Sequence, residues 1–393
     1  MPDCEFEGIF MRYFVSGLAA LLVCFSGVAA AQNEDLPEPV ATAYQAYEAA
    51  MDNADFEAAE IAARAAWQAA RRARLDREII GDLASNYGAV ALQLLHYDNA
   101  EEGWEAAAEL GERARIDPLE LAWRWHNAAI GAYANSYGSY RDARAFSRKA
   151  TDALLQVREA DLHASPQVGE IYFWRAKLVA STGNYEASYS HARQAIEAFE
   201  RAGREPDALY ADAYSVRGLG ALGRARWNDA TFYFHMSRDI NSMLDGRESR
   251  TLRADALTSY AGVQASEPGD HGYGHLLETS ALHARLFPEG EISEAERPVP
   301  PGFVDAEPLV RVNPVYPPNM LQVGRQGVVI AQFDVSETGH TENITILAEV
   351  PGRSFGAVVR QAIANWTYTP ATIEGVAVRR EGVVTHMIFA MRG

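Results

Sequence analysis

The 393-residue sequence has little cysteine and almost no lysine, and each shortage removes a class of explanation. Its two cysteines, Cys4 and Cys24, both lie in the first 31 residues. If the chain is cut after Ala31, the remainder has no thiol and can form neither a disulfide framework nor a Cys/His pair. Lysine occurs only as Lys149 and Lys177, a bias of genome composition together with the abundant Arg and Ala. Positive charge is outweighed over the chain as a whole. The formal charge is -18, and Asp3, Glu5 and Glu7 against Arg12 account for -2 of it, leaving -16 after residue 31. Residues 309–393 hold seven Arg against six acids, so the excess acid lies upstream. Such a balance argues against nucleic acid and anionic membrane surfaces as partners, because both demand basic patches. Catalytic signatures are missing too: there is no Gly-rich phosphate loop, no Gly-x-Ser-x-Gly and no His-Glu-x-x-His. The densest set of potential metal ligands is His271, His275, Glu278 and His283, but Gly272 and Gly274 break any helix between the first two, and a loop is the better reading. No catalytic residue, metal or cofactor is assigned.

A long apolar run occurs once. Residues 18 to 28 are apolar or small, preceded by Arg12 and followed by Ala29-Ala30-Ala31 before Gln32, the pattern of a secretory signal peptide over residues 1–31. The first ten residues carry three acids and no base, so Met11 is the conventional start. Two readings stay open. Cleaved, the chain is exported to the periplasm; retained, the 19 residues from 13 to 31 are near the lower limit for a span anchored in the inner membrane.

Residues 32–287 show no strand pattern, but the segment repeats itself. Phe56, Tyr97, Tyr140, Tyr185 and Trp227 are each followed three residues on by a small residue (Ala59, Ala100, Ala143, Ser188, Ala230) and ten on by another (Ala66, Ala107, Ala150, Ala195, Ser237). Nine before the last four stand Gly88, Gly131, Ala176 and Gly218. An aromatic opening the second helix of a pair, with small residues where helices cross closely, suits stacked helical hairpins. Asp52-Asn53, Ser136-Tyr137-Gly138-Ser139 and Thr182-Gly183-Asn184 supply turns between paired helices. The pattern resembles tetratricopeptide (TPR) repeats, although the anchors are 41, 43, 45 and 42 residues apart, where that repeat has about 34. Longer helices account for the spacing. The expectation is a solenoid of antiparallel helix pairs with the five anchors buried against the next unit, and a weaker sixth unit over residues 252 to 286. Trp67, Trp104, Trp123, Trp125 and Trp174 are assigned to packing, with a peptide groove as the other reading for those on the concave face.

Two domains are expected from a chain longer than a single core. Residues 288–308, rich in Pro and acid, read as a linker. Residues 309–393 then close into one unit. Asn313-Pro314-Val315-Tyr316-Pro317 is a rigid lead-in, and after Gly324 and Gly327 the residues Val329, Ala331, Phe333 and Val335 alternate onto one face of a strand whose other face carries Gln332 and Asp334. Thr338-Gly339-His340 turns the chain into a second strand over residues 343 to 347. Phe355, Val358, Val359, Ala362, Ile363 and Trp366 form an apolar helical stripe, ended by Pro370. Beyond a turn at Glu374-Gly375, an apolar run over residues 382 to 391 completes a β-β-α-β unit. Phe333, Phe355, Trp366 and Tyr368 are assigned to its core.

The lead-in, the strand ending in Phe333-Asp334-Val335, Gly339 in the turn, and Phe355 leading to Ala362, Trp366, Tyr368 and Pro370 resemble the C-terminal domain of the TonB family, the periplasmic end of energy transducers that act on outer-membrane transporters. Asn313 stands where the best-studied transducers have Gln. The resemblance implies that a short segment of the transporter adds as a strand beside the last strand, helped by the lead-in. It points to Asn313, Pro314, Tyr316 and Pro317, and to Val383, Val384, Thr385, His386, Met387, Ile388 and Phe389. It also implies an inner-membrane motor reached through a membrane helix with a polar residue, usually His, whereas the apolar segment here has Ser16 and Ser26. The fold is therefore read as mixed, an all-α TPR-like solenoid followed by a small α+β domain. The function is read as that of a non-enzymatic envelope protein binding an outer-membrane transporter or other envelope protein by strand addition, with transduction of energy for transmembrane transport left as a separate, open question. The alternative is a soluble periplasmic scaffold that uses the domain only for docking or assembly.

Overall fold

The computed structural model describes residues 36–135, 140–244, 246, 248–264, 301–322, 326–350 and 355–389. The signal-peptide stretch, the turn at residues 136–139, the His271 set, the later part of the sixth unit and the linker up to residue 300 lie outside the described residues. The chain divides into two compact units, Met1–Asn184 with Arg193–Arg204, and Tyr185–Ala192 with Glu205–Gly393. The second unit thus groups the last helices with the terminal domain.

The first unit contains α1 (Glu38–Asp52), α2 (Phe56–Ala73), α3 (Arg77–Gln93), α4 (Tyr97–Ala114), α5 (Pro118–Asn135), α6 (Arg141–Leu154), α7 (Glu159–Ala164), α8 (Gln167–Ala180) and the later part of α9 (Tyr185–Arg201). The second takes the start of α9, then α10 (Ala208–Gly223), α11 (Trp227–Ser242) and α12 (Glu248–Gln264). Among the described residues no helix is long and apolar enough to cross a membrane. Consecutive helices from α1 to α6 and from α10 to α12 pack side by side as antiparallel neighbours.

Four anchors, Phe56, Tyr97, Tyr185 and Trp227, are the first residues of their helices, and Tyr140 directly precedes α6. All ten small residues placed three and ten positions after them are fully buried. The helices cross so closely there that a Cβ on Gly88 would come within 2.8 Å of the Trp104 ring, and one on Gly103 within 2.6 Å of the Gly88 amide nitrogen. The anchors themselves correct the expectation. Phe56, Tyr97, Tyr140 and Trp227 are half-buried, and Tyr185 is 41% exposed. A side chain at the first helical position tilts back beyond the helix end, so it covers the rim of the packed layer. Tyr185 does this by lying over Gly223. Deep burial falls to Trp67, Trp104, Trp125 and Trp174, while Trp123 is half-buried against His126.

The first helix of three pairs ends in a shared turn. Ala54, Leu95 and Ala225 take left-handed φ values of 53°, 62° and 55°. The next amide reaches back five residues, Asp55 to Ala50 at 2.9 Å, His96 to Ala91 at 2.8 Å and Arg226 to Ala221 at 3.0 Å, which is the Schellman arrangement. Gly183, at φ 76°, holds the same place before Tyr185.

The terminal domain comprises β1 (Phe303–Val304), β2 (Glu307–Val310), α13 (Pro318–Gln322), β3 (Gly327–Val335), β4 (Thr341–Val350), α14 (Gly356–Ile363), β5 (Thr367–Thr369), β6 (Ala371–Ile373), β7 (Val376–Val378) and β8 (Arg380–Phe389). Its main sheet has the order β4-β3-β8, beside the small sheets β1-β6-β7 and β2-β5. β1 and the first half of β2 thus lie in the stretch read as linker. The apolar helix ends at Ile363 rather than near Pro370, because Thr367–Thr369 leaves to pair with β2. The core of Val329, Ala331, Phe333, Val335, Phe355, Val359, Ile363, Trp366 and Tyr368, closed by Met387 and Phe389, is the one the alternation implies. Gly339 has φ 83°, and a Cβ there would meet the Tyr368 carbonyl oxygen at 2.1 Å, so the turn admits only glycine. The second face of β3 departs from expectation. Val328 and Ile330 on it are fully buried, because α12 lies across β3 and β4.

Candidate functional site

β8 pairs antiparallel with β3 from Gly327↔Phe389 to Phe333↔Val383, with an irregularity between Phe333 and Val335. It is the outer strand of its sheet, and among the described residues nothing pairs with its far edge. Such an edge presents alternate amides and carbonyls to any extended segment. Neither Lys nor Pro, the usual guards of a free edge, occurs in Arg380–Phe389. Met387 and Phe389 are buried and Val383 packs on the same core, so these three are committed inward and are available only through their backbone. Thr385 is half-buried. Val384 and Ile388, 48% and 54% exposed, share the outer face with His386.

The lead-in is fixed where it passes the core. Trp366 Nε1 donates to the Val312 carbonyl at 2.8 Å, and Arg311 lies over the Trp366 and Tyr368 rings while donating to the Tyr368 hydroxyl at 3.1 Å. Tyr316 stands edge-on to Phe355 and Phe389, at 5.8 and 5.5 Å, and those two rings stack at 4.4 Å. Burial, with Tyr260 nearby, pushes its phenol above the usual range. Tyr316 therefore meets β8 at its Phe389 end. Pro317 is buried, Pro314 half-buried and Asn313 exposed.

The opposite end of β8 is pinned by charge. Asp334 accepts from Asn343 Nδ2 at 2.7 Å and from the Gly382 amide at 2.9 Å, with Arg379 at 3.6 Å. The Asn343 hydrogen bond, against the opposing effect of burial and aided by Gly382 and Arg379, holds its carboxyl below the usual value. Arg379 also pairs with Glu342 at 2.6 Å, and Arg380 with Asp305 at 2.8 Å. Between the ends, His386 Nε2 lies 2.7 Å from Asp255 Oδ2 on α12. Sequence reasoning missed Asp334, Arg379, Arg380 and Asp255. A carboxylate on a strand's polar face reads as solvated until its partners are placed, and Asp255 is distant along the chain.

Residues 312–390 match the family model of the Gram-negative bacterial TonB protein C-terminal. Protein TonB of Pseudomonas aeruginosa is 34% identical over 109 residues, 27% of this chain and 31% of that protein. Protein TonB of Escherichia coli K12 is 29% identical over 85 residues, 22% and 33% of the two chains. The chain thus spans about a third of the length of these relatives. The solution NMR structure of the Pseudomonas aeruginosa TonB CTD is 32% identical and covers 23% of this chain and 89% of that one, with a TM-score of 0.21. The terminal domain is of the TonB C-terminal type.

Proposed function

We propose that this chain is a cell-envelope protein whose terminal domain captures a short extended segment of an outer-membrane transporter as a new strand beside β8. The observation that carries the reading is the edge of β8, unguarded and unpaired among the described residues, in a domain of TonB C-terminal type. Main-chain hydrogen bonds along that edge supply the affinity, and side chains at alternate positions set the register. Both ends of β8 are already fixed, so little ordering of the receptor strand opposes capture. The role is docking rather than catalysis, and the helical region acts as the scaffold that carries the docking edge.

Titration of the protein with synthetic peptides that tile the periplasm-facing segments of outer-membrane transporters tests the proposal. Some peptides are expected to bind. Proline at Thr385 or at His386, whichever directs its amide outward, should abolish that binding, because it removes a ladder donor, while alanine there has a small effect. If no such peptide binds, or both proline variants bind as well as the alanine variants, strand addition is wrong.

A further inference from the structure

The centre of β8 is held from outside the segment that matches the TonB-type family. Asp255 belongs to α12, 131 residues before His386 in the sequence, and meets it at 2.7 Å. Asp255 is in turn backed by α11: Arg238 approaches its second oxygen at 3.8 Å, and Arg238 pairs with Asp239 at 2.7 Å, which also meets His235 at 3.1 Å. α12 covers the side of β3 and β4 on which Val328 and Ile330 are buried, and His386 pairs in register with Ile330. The contact therefore sits at the margin of that cover, flanked along β8 by the exposed Val384 and Ile388.

We propose that Asp255 is a positioning residue for the capture edge: reaching from α12, it fixes His386 and with it the middle of β8, so that the helical region completes an edge the matched domain only begins. The functional meaning of this inference rests on the proposed strand capture, whereas the positioning itself does not. Among the described residues β8 has a single neighbour in the sheet, its ends are tied through Asp334 and Phe389, and between those ties His386 makes a polar contact with α12. A strand held extended needs less ordering to accept a second strand.

The charges that face His386 set its pH response. Asp255 faces it from α12, with Arg238, His235 and Asp239 behind from α11, and β3 presents the uncharged Ile330. The Asp255 hydrogen bond, against burial, raises His386 above its ordinary 6.5. Burial pushes Asp255 up, but the His386 hydrogen bond and the charges of His386, Arg238 and His235 together leave it below its ordinary 3.8. A raised histidine contributes stability that is full below 6.5 and lost as pH rises through its folded value. A lowered carboxyl contributes above 3.8 and loses its effect as pH falls through its folded value. Positioning is thus firmest in mildly acidic solution and weakens above neutrality.

Amide hydrogen exchange of the full chain without any partner tests this, with wild type, Asp255→Asn and His386→Asn compared at about pH 5.5 and about pH 8, on either side of the histidine range. After correction for intrinsic exchange, wild-type protection over β8 should fall about two- to five-fold from the lower to the higher pH, the size of a partly exposed ion pair. Both variants should show the lower protection at both pH values, with β4, which pairs only with β3 among the described residues, unchanged. Equal β8 protection in Asp255→Asn and wild type at the lower pH overturns the inference. So does an equal loss over β4, which marks general destabilisation. Peptide titration separates the two readings. Capture with unchanged affinity in Asp255→Asn at the lower pH overturns positioning alone, and absence of capture by a chain whose β8 is protected as expected overturns capture alone.

Discussion

At the scale of single residues, backbone strain and buried titration are the two terms with measurable consequences. Ala54, Leu95 and Ala225 close their helix pairs in the left-handed region, where a Cβ costs about 1 kcal/mol or more. Gly183 fills the same place with nothing within 4 Å of its missing Cβ, so only strain opposes a side chain there. Gly183→Ala should therefore lower stability by about 1 kcal/mol, and Ala225→Gly should raise it by a similar or smaller amount, both read from denaturant melts. His126 sets a second expectation. It is fully enclosed against Trp123, and burial pushes it from 6.5 down to about 3. Between those values the unfolded chain binds a proton that the folded chain does not, so stability falls as pH drops from 6.5 toward 3, opposite in sign to the slope His386 contributes. His126→Phe should flatten that part of the acid melt. None of this strain was legible in the sequence, because Ala and Leu announce no turn; only Gly183 did.

At the scale of elements, the fate of each apolar run depends on how many neighbours cover it. β3 was readable as a strand from its alternation, and Phe333, Trp366 and Tyr368 were readable as core. The contiguous Val328-Val329-Ile330-Ala331 was the sign of burial on both faces, which alternation alone conceals. What covered the second face could not be read, since α12 lies in a segment of helical pattern with nothing to mark it as a partner of the sheet. The expected outcome is unequal. Ile330→Ala should cost about 2 to 5 kcal/mol as a buried truncation, whereas Val384→Ala on the exposed face of β8 should change stability by less than about 0.5 kcal/mol. The aromatic anchors obey the same rule. Spacing placed the helix starts correctly, but an exposed Tyr185 truncated to Ala should cost well below the ~3 to 5 kcal/mol of a buried aromatic. The candidate site was legible as a place, an apolar last strand with a Pro-x-Tyr-Pro lead-in, but not as a division of labour between inward Met387 and Phe389 and outward Val384, His386 and Ile388.

At the scale of the molecule, the second unit joins α10, α11 and α12 to the terminal domain. A fragment starting at residue 303 would bare Val328 and Ile330, removing roughly 1.5 to 3 kcal/mol of apolar burial for each side chain. A fragment of residues 205–393 should therefore melt at a higher temperature than one of 303–393, which calorimetry would check, and the shorter one should bind more of an apolar dye. Equal melting of the two would mean that α12 contributes no cover. The linker's composition reports solvation of the chain, and not which helices are packed on either side of it.

The β3–β8 ladder also has a mechanical direction. A segment captured beside β8, as proposed, would lie along the same axis, so tension pulling on that segment would run parallel to the strands. The register pairs from Gly327↔Phe389 to Phe333↔Val383 then resist together as a joint in shear, instead of parting one after another like a peeled seam. Tension perpendicular to the strands would meet only the outermost pair, which makes the joint strong along one axis and weak across it.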